Sequence, residues 1–492
     1  MKRLTAVLIV CCLLSFSFSG ALAETGGVAS REDHVSVTGH TATIQGKETA
    51  YTVTAGTMAM STELGNYDLF YTAYTLDVSE NPADRPITFA YNGGPGAASA
   101  YINLGLLGPD RLSLDEEGRL VRVPTGYESN HYSLLDLTDL VFIDPVGTGY
   151  SRAADGTDPS VFYTYNGDIQ SVGDFIIQYI NRNQRWASPK YLAGESYGTV
   201  RTAGLCDYLM GQGFLNLNGL MMVSSINNYA SVEFLEGNEL PYACFLPTYA
   251  AIAHYHGKVA EQYRDMELED FLNEVREFAG GTYWSALFKG SYMTGEEREA
   301  LAETISGYIG LPMELILQKN LRIDMETFTT GLLADQNLFV GRVDGRYTGP
   351  AVAGSLADAV ADPSATTNAG YIEAVRNLYT GKYQYQTDVP YKPLSLDVNA
   401  AWVYPGNNTI LSQERILHDC MSKNPHMKVW VICGYYDQAT PFFAAEWTYS
   451  HLFLNSGLQD NLSFTYYPSG HMFYQHEPSL QQFRKDAESW YQ

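Results

Sequence analysis

Positive charge is scarce in this 492-residue chain: 30 lysines and arginines stand against 55 aspartates and glutamates, a formal net charge of −25. A surface of that sign repels nucleic acid and anionic lipid, so neither nucleic acid nor membrane is expected as a partner. Past the first 23 residues no apolar run approaches the roughly 18 residues that a membrane span needs. Internal repeats and low-complexity linkers are also missing. Cysteine is sparse, with six residues and no CxxC pair. Cys206, Cys244, Cys420 and Cys433, the four beyond the leader, allow three disulfide pairings or stand as buried thiols, and their spacing does not choose. The glycine run Gly93–Gly96 is not followed by the Lys and Ser/Thr of a phosphate loop, which argues against nucleotide binding. His254 and His256, in AIAHYHGK, have no cysteine or carboxylate cluster beside them and read as helix surface. The expectation is therefore no metal and no cofactor.

What is present is enough for a folded body. With 45% apolar and 17% charged residues the composition is that of a packed protein, and the length suits one large α/β core with an insertion. Lys2 and Arg3, an apolar stretch and Ala21-Leu22-Ala23 read as a secretory signal peptide over residues 1–23. The chain is expected to be secreted or periplasmic after cleavage near Ala23. Loss of Lys2 and Arg3 with that segment takes the net charge from −25 to −27.

Residues 35–91 alternate Val, Thr and Tyr with polar positions and predict antiparallel strands. After the glycine run, strands are predicted at Leu140–Ile143, Lys190–Ala193 and Leu220–Ser224, with helices at about Gly167–Asn181 and from Thr199. That alternation argues a mixed, mostly parallel central sheet flanked by helices. From 231 to 395 the pattern turns helical, as in LEDFLNEVREFA and GEEREALAETISGYI, and predicts an inserted cap. Strands at Lys428–Cys433 and Ser463–Tyr467 and a last helix resume the core. The expected organisation is core over 24–230 and 396–492, with the cap over 231–395.

In GESYG, residues 194–198, a G-x-S-x-G falls at a predicted strand-to-helix junction, where small neighbours permit the sharp turn that exposes a serine hydroxyl. Ser196 is the candidate nucleophile. A serine needs a base to take its proton and a carboxylate to orient that base. Asp437 follows the predicted strand KVWVICG, and His471 follows SFTYYPSG. The order Ser, acid, His at strand ends is that of an α/β hydrolase triad.

Four blocks then carry a family resemblance: NGGPG at 92–96, DPVGTGYS at 144–151, GESYG at 194–198, and Asp437 with GHM at 470–472. On these the chain resembles the serine carboxypeptidases, peptidases of α/β-hydrolase fold, as a divergent member. The resemblance implies an exported enzyme that removes C-terminal residues from peptide substrates through an acyl-enzyme. Ser196 would be nucleophile, His471 general base and then acid, and Asp437 the orienting carboxylate. The backbone N–H groups of Gly94 and Tyr197 would form the oxyanion hole. Asn92, Gly93 and a protonated Glu195 would bind the substrate's terminal carboxylate.

Two departures follow from the same resemblance. The family's second carboxylate-binding glutamate falls fourteen residues after Asn92, where this chain has Leu106. Many relatives carry a half-cystine at the position of Ala97. The first leaves room for an esterase, acyltransferase or other peptidase on the same fold.

Overall fold

The computed structural model describes residues 31–77, 81–351, 362–406 and 409–491. The signal segment expected over 1–23 lies outside them. Three long antiparallel strands come first: β1 His34–Ile44, β2 Lys47–Thr62 and β3 Gly65–Leu76. Along β2 buried positions largely alternate with half-buried or exposed ones, the pattern of a strand with one face better covered than the other. The next strands, β4 Ile87–Tyr91, β5 Asp139–Ile143, β6 Lys190–Glu195 and β7 Gly219–Val223, are buried at every position. Their continuous apolar runs are what a sheet covered on both faces requires. β8 Lys428–Gly434 and β9 Leu462–Tyr467 complete the order β1-β2-β3-β5-β4-β6-β7-β8-β9. Every pairing from β5 to β9 is parallel, while β3 meets β5 antiparallel. The mixed, mostly parallel sheet predicted from the sequence is thus observed.

Successive residues of the central strands feed opposite cores. Leu192, Leu220, Met222 and Val431 pack on the side of helices α1 Tyr165–Arg182 and α2 Tyr197–Gly211. Ala193, Met221, Val223 and Ile432 face the other layer, which contains the C-terminal helix Glu477–Tyr491. Thr164 caps α1 by accepting from Gly167 N at 3.0 Å, which starts it two residues before the predicted position.

From Leu240 to Ala400 helices dominate, including α3 Leu240–Tyr255, α4 Leu268–Phe278 and α5 Gly295–Ile309. α5 is bounded by a Thr294–Glu297 capping box and a left-handed Gly310. This region also holds an antiparallel pair, Leu338–Val340 with Thr348–Pro350, and the core holds another, Asp110–Leu112 with Tyr127–Ser129. Neither was expected, because three residues are too few to show a period of two. Asp33–Gln492 forms one compact unit. Cys206, Cys244, Cys420 and Cys433 are all free and buried, which settles the open choice in favour of thiols. No helix among the described residues is long and apolar enough to cross a membrane.

Candidate active site

The register of three parallel strands assembles the site. Tyr91 of β4 lies opposite Gly194 of β6, so the following residues, Asn92 and Glu195, emerge side by side at one edge of the sheet. Ser196 turns sharply out of β6 with φ 59° and ψ −128°, a backbone region that non-glycine residues rarely occupy, and α2 begins at the next residue. Its N–H donates to Val223 O at 2.9 Å, which holds the turn against β7. A Cβ on Gly194 would collide with Gly198 O, so the turn closes only with glycine there.

The 92–97 loop packs directly on the start of α2. A Cβ on Gly93 would strike the amide nitrogens of Tyr197 and Gly198, and Gly94 has φ 101°. The loop's other side is held by backbone bonds to a distant segment: Ser395 N donates to Gly96 O at 2.8 Å and Ala98 N to Pro393 O at 2.9 Å. Asn399 Nδ2 adds a bond to Pro95 O at 3.0 Å. These contacts pin the loop around Ala97, where the expected half-cystine is missing. From behind, Asp144 of the DPVGTGYS block accepts from Ser99 N at 2.7 Å.

A further brace was not expected from the sequence. Arg201, fully buried on α2, donates Nη1 to Asn92 O at 2.6 Å and Nε to Asp168 at 2.8 Å. Its guanidinium lies over the rings of Tyr91 and Tyr197. One cation therefore links the glycine loop, the residue after Ser196 and α1.

Across the cleft, Gly434 of β8 is in register with Tyr467 of β9, which brings the loops carrying Asp437 and His471 together. Asp437 is fully buried and its carboxylate is saturated. Oδ1 accepts from Ala439 N at 2.7 Å and Thr440 N at 2.9 Å, and Oδ2 from Thr440 Oγ1 at 2.5 Å and His471 Nδ1 at 2.7 Å. With Nδ1 committed to Asp437, Nε2 is the ring nitrogen left to act as a base. Burial alone would lower the His471 pKa, but the charge and hydrogen bond of Asp437 and the charge of Glu195 together raise it above 6.5. Thr440 escaped sequence reasoning; its only signal is a hydroxyl three residues after an aspartate.

Glu195 is 3% exposed. Its Oε2 accepts from Asn92 Nδ2 at 2.8 Å and from the Tyr474 hydroxyl at 2.9 Å. Burial pushes its pKa up to about 7; His471 and the hydrogen bonds of Tyr474 and Asn92 pull the other way, and the Asp437 charge adds to the rise. Asn92 Oδ1 is held in turn by Ile102 N at 2.9 Å. Leu106, in the short π-helical turn Ile102–Leu107, is fully buried in the apolar layer that includes Tyr101, Tyr371 and Tyr474.

Asn92, Gly93, Gly94, Glu195, Ser196, Tyr197 and His471 line one cleft of about 570 Å³, with Asp437 behind His471. Tyr229, Phe234, Phe245 and Tyr404 form an aromatic wall, and Arg342 and Met472 lie on the His471 side. A groove of about 710 Å³ over Glu63, Asp174 and Tyr208 carries carboxylates but no serine, cysteine or histidine. His254 stacks on Phe271 and His256 bonds Gly345 O at 2.8 Å, so both are tied into packing and are not free helix surface. No group of three or more potential metal ligands occurs among the described residues.

Known proteins resemble parts of this chain. The serine carboxypeptidase family model matches residues 46–264, the stretch with the 92–96, 144–151 and 194–198 blocks. Serine carboxypeptidase-like 2 of Arabidopsis thaliana is 30% identical over 173 residues, 33% of this chain and 37% of that protein. Serine carboxypeptidase-like 5 of the same plant is 31% identical over 174 residues, again 33% and 37%. The matched region thus spans little more than a third of these relatives' length. Among solved structures, Kex1(delta)p, a prohormone-processing carboxypeptidase from Saccharomyces cerevisiae, superposes with a TM-score of 0.55 at 15% identity, covering 89% of this chain and 91% of that one. That likeness carries the fold, an α/β hydrolase. Over residues 46–264 the chain is similar to the serine carboxypeptidase family, and its fold is that of an α/β hydrolase.

Proposed function

We propose that this protein is an exported serine carboxypeptidase acting on the C-terminal residue of peptides. The observation that carries the reading is one cleft in which a strained serine and an Asp-bound histidine adjoin a buried acid held by an asparagine. Ser196 Oγ attacks the scissile carbonyl while His471 Nε2 takes its proton, and the imidazolium then protonates the leaving amine. Water repeats the sequence on the acyl-enzyme and frees Ser196. Asp437 holds the tautomer throughout. The N–H groups of Gly94 and Tyr197 donate to the oxyanion, in a place where loss of one such donor typically costs about 2.7–4 kcal/mol. Asn92 Nδ2, Gly93 N–H and neutral Glu195 receive the terminal carboxylate.

The pH dependence follows from signs. Glu195 must be protonated to donate, so carboxylate binding is present below about 7 and fails above it. His471 must be neutral to act as base, so turnover is lost as pH falls through its pKa. The two titrations are coupled, because the charge of Glu195 is one of the influences that raise His471. Protonating Glu195 removes that influence and keeps His471 neutral to lower pH. A bell is expected for peptides with a free terminus, its acid limb set by His471 and its alkaline limb by Glu195.

Leu106 favours a second reading, an esterase or acyltransferase using the same triad, because it supplies no donor toward a carboxylate. The test compares an N-blocked dipeptide with its C-terminal amide at about pH 4.5 and about pH 7.5. The carboxypeptidase reading expects at least about a tenfold preference for the free acid at the lower pH. Equal rates on both would leave a serine hydrolase and remove the exopeptidase.

A further inference from the structure

By the family resemblance a second carboxylic acid would stand where this chain has buried Leu106, yet Glu195 is not left with Asn92 alone. The ring of Tyr474, three residues after His471, fills the space beside this turn. Gly105 makes room for it, since a Cβ there would run into Tyr474 Cε2 and Cδ2 and crowd the Tyr371 hydroxyl. The Tyr474 hydroxyl then reaches Glu195 Oε2 at 2.9 Å. Asn92 Nδ2, a donor with no lone pair to offer, reaches the same oxygen at 2.8 Å. Two donors on Oε2 leave Oε1 as the oxygen that carries the acid's proton.

We propose that Tyr474 is a positioning residue that takes over the work of the missing acid, fixing Glu195 so that one carboxyl, through Oε1–H, reads the substrate's terminal carboxylate. This rests on the carboxypeptidase reading above. A pair of carboxyls sharing a proton titrates in two linked steps, whereas a tyrosine beside one carboxyl stays neutral across the working range and leaves a single step. The charged groups around Glu195 are His471 and Asp437 across the cleft; the remaining titratable neighbours are the phenols Tyr101, Tyr371 and Tyr474. A hydroxyl donating to a carboxylate favours the charged form, so its removal favours the neutral acid and also frees the carboxyl to rotate.

The experiment measures kcat/KM against pH for an N-blocked dipeptide and its amide in the wild type, Tyr474→Phe and Gly105→Ala, the second displacing the ring while keeping the hydroxyl on it. Both variants are expected to raise KM for the acid about five- to twentyfold with kcat little changed. The amide is expected to be unaffected, and the alkaline limb for the acid to move up by about half to one pH unit. Labelling of Ser196 by a fluorophosphonate at the wild-type rate reports an intact triad. If the wild type prefers the acid and both variants keep its ratio and limb, the role of Tyr474 is overturned while the carboxypeptidase reading stands. Equal losses on acid and amide at every pH, or loss of labelling in both variants, make Tyr474 a structural residue and also overturn it. A wild type indifferent to acid or amide removes the reading and the proposal together.

Discussion

Two parts of the same cleft, a few residues apart in sequence, are built from different materials. The reacting end is made of backbone: a strained Ser196, the Gly93–Gly94 turn pressed against the first amides of α2, and a loop pinned by main-chain bonds to 393–395. The proposed carboxylate end adds to the Gly93 N–H side chains drawn from three segments, with Asn92 Nδ2 and the Tyr474 hydroxyl converging on one oxygen of Glu195. Backbone donors are fixed by the fold and cannot titrate. Side-chain donors can be exchanged one for another, and they can be switched by pH. The reacting end should therefore be intolerant of change and indifferent to substrate terminus, while the other end should be tolerant and decide between acid and amide.

Substitutions can break that contrast. The largest effect is expected for Ser196→Ala, which should lower kcat on acid and amide alike by about 10⁴-fold or more, measured in steady-state assays. Next is Gly93→Ala, whose new Cβ must push the loop off the Tyr197 amide. Its kcat should fall about 10²- to 10³-fold on both substrates, the size of a lost oxyanion donor. Thr440→Val removes one of two side-chain donors on Asp437 Oδ2 but leaves its backbone bonds and His471. A drop in kcat of about three- to tenfold is expected, again without regard to terminus.

The smallest change in rate, and the sharpest change in profile, belongs to Glu195→Gln. The amide donates at every pH, so below about 7 the variant should stay within about fivefold of wild type on the acid. Above it the variant should retain activity that wild type loses, because there is no longer a proton to lose. A pH series of kcat/KM reads this directly. Retention of the wild-type alkaline limb in Glu195→Gln would assign that limb to another group.

The same contrast explains what was legible in the sequence. The core strands and helices were readable because period and punctuation are local: Lys190–Glu195 and Gly295–Ile309 carry their own boundaries. The GESYG turn was readable because its geometry demands small neighbours on either side of the serine. Asp437 and His471 were readable from chain order at strand ends. Thr440, Arg201 and Tyr474 were not, since each acts through a partner brought near only by folding; Tyr474 lies 279 residues from Glu195. The sequence pattern of the family pointed at Leu106 as a missing donor, but not at the tyrosine occupying the space its neighbour Gly105 leaves. The three-residue strand pairs, and the thiol state of the four cysteines, likewise depend on contacts that no local pattern encodes.

On the carboxypeptidase reading a titrating acid, separate from the triad, chooses the free carboxyl terminus. Its most direct test is the ratio of kcat/KM for an N-blocked dipeptide to that for its amide, followed across pH in the wild-type enzyme, so that changes in His471 cancel. A high plateau at acid pH is expected, with a decline approaching tenfold per unit once pH passes about 7, the region to which burial has pushed Glu195. A ratio that stays flat from acid to alkaline pH would contradict it.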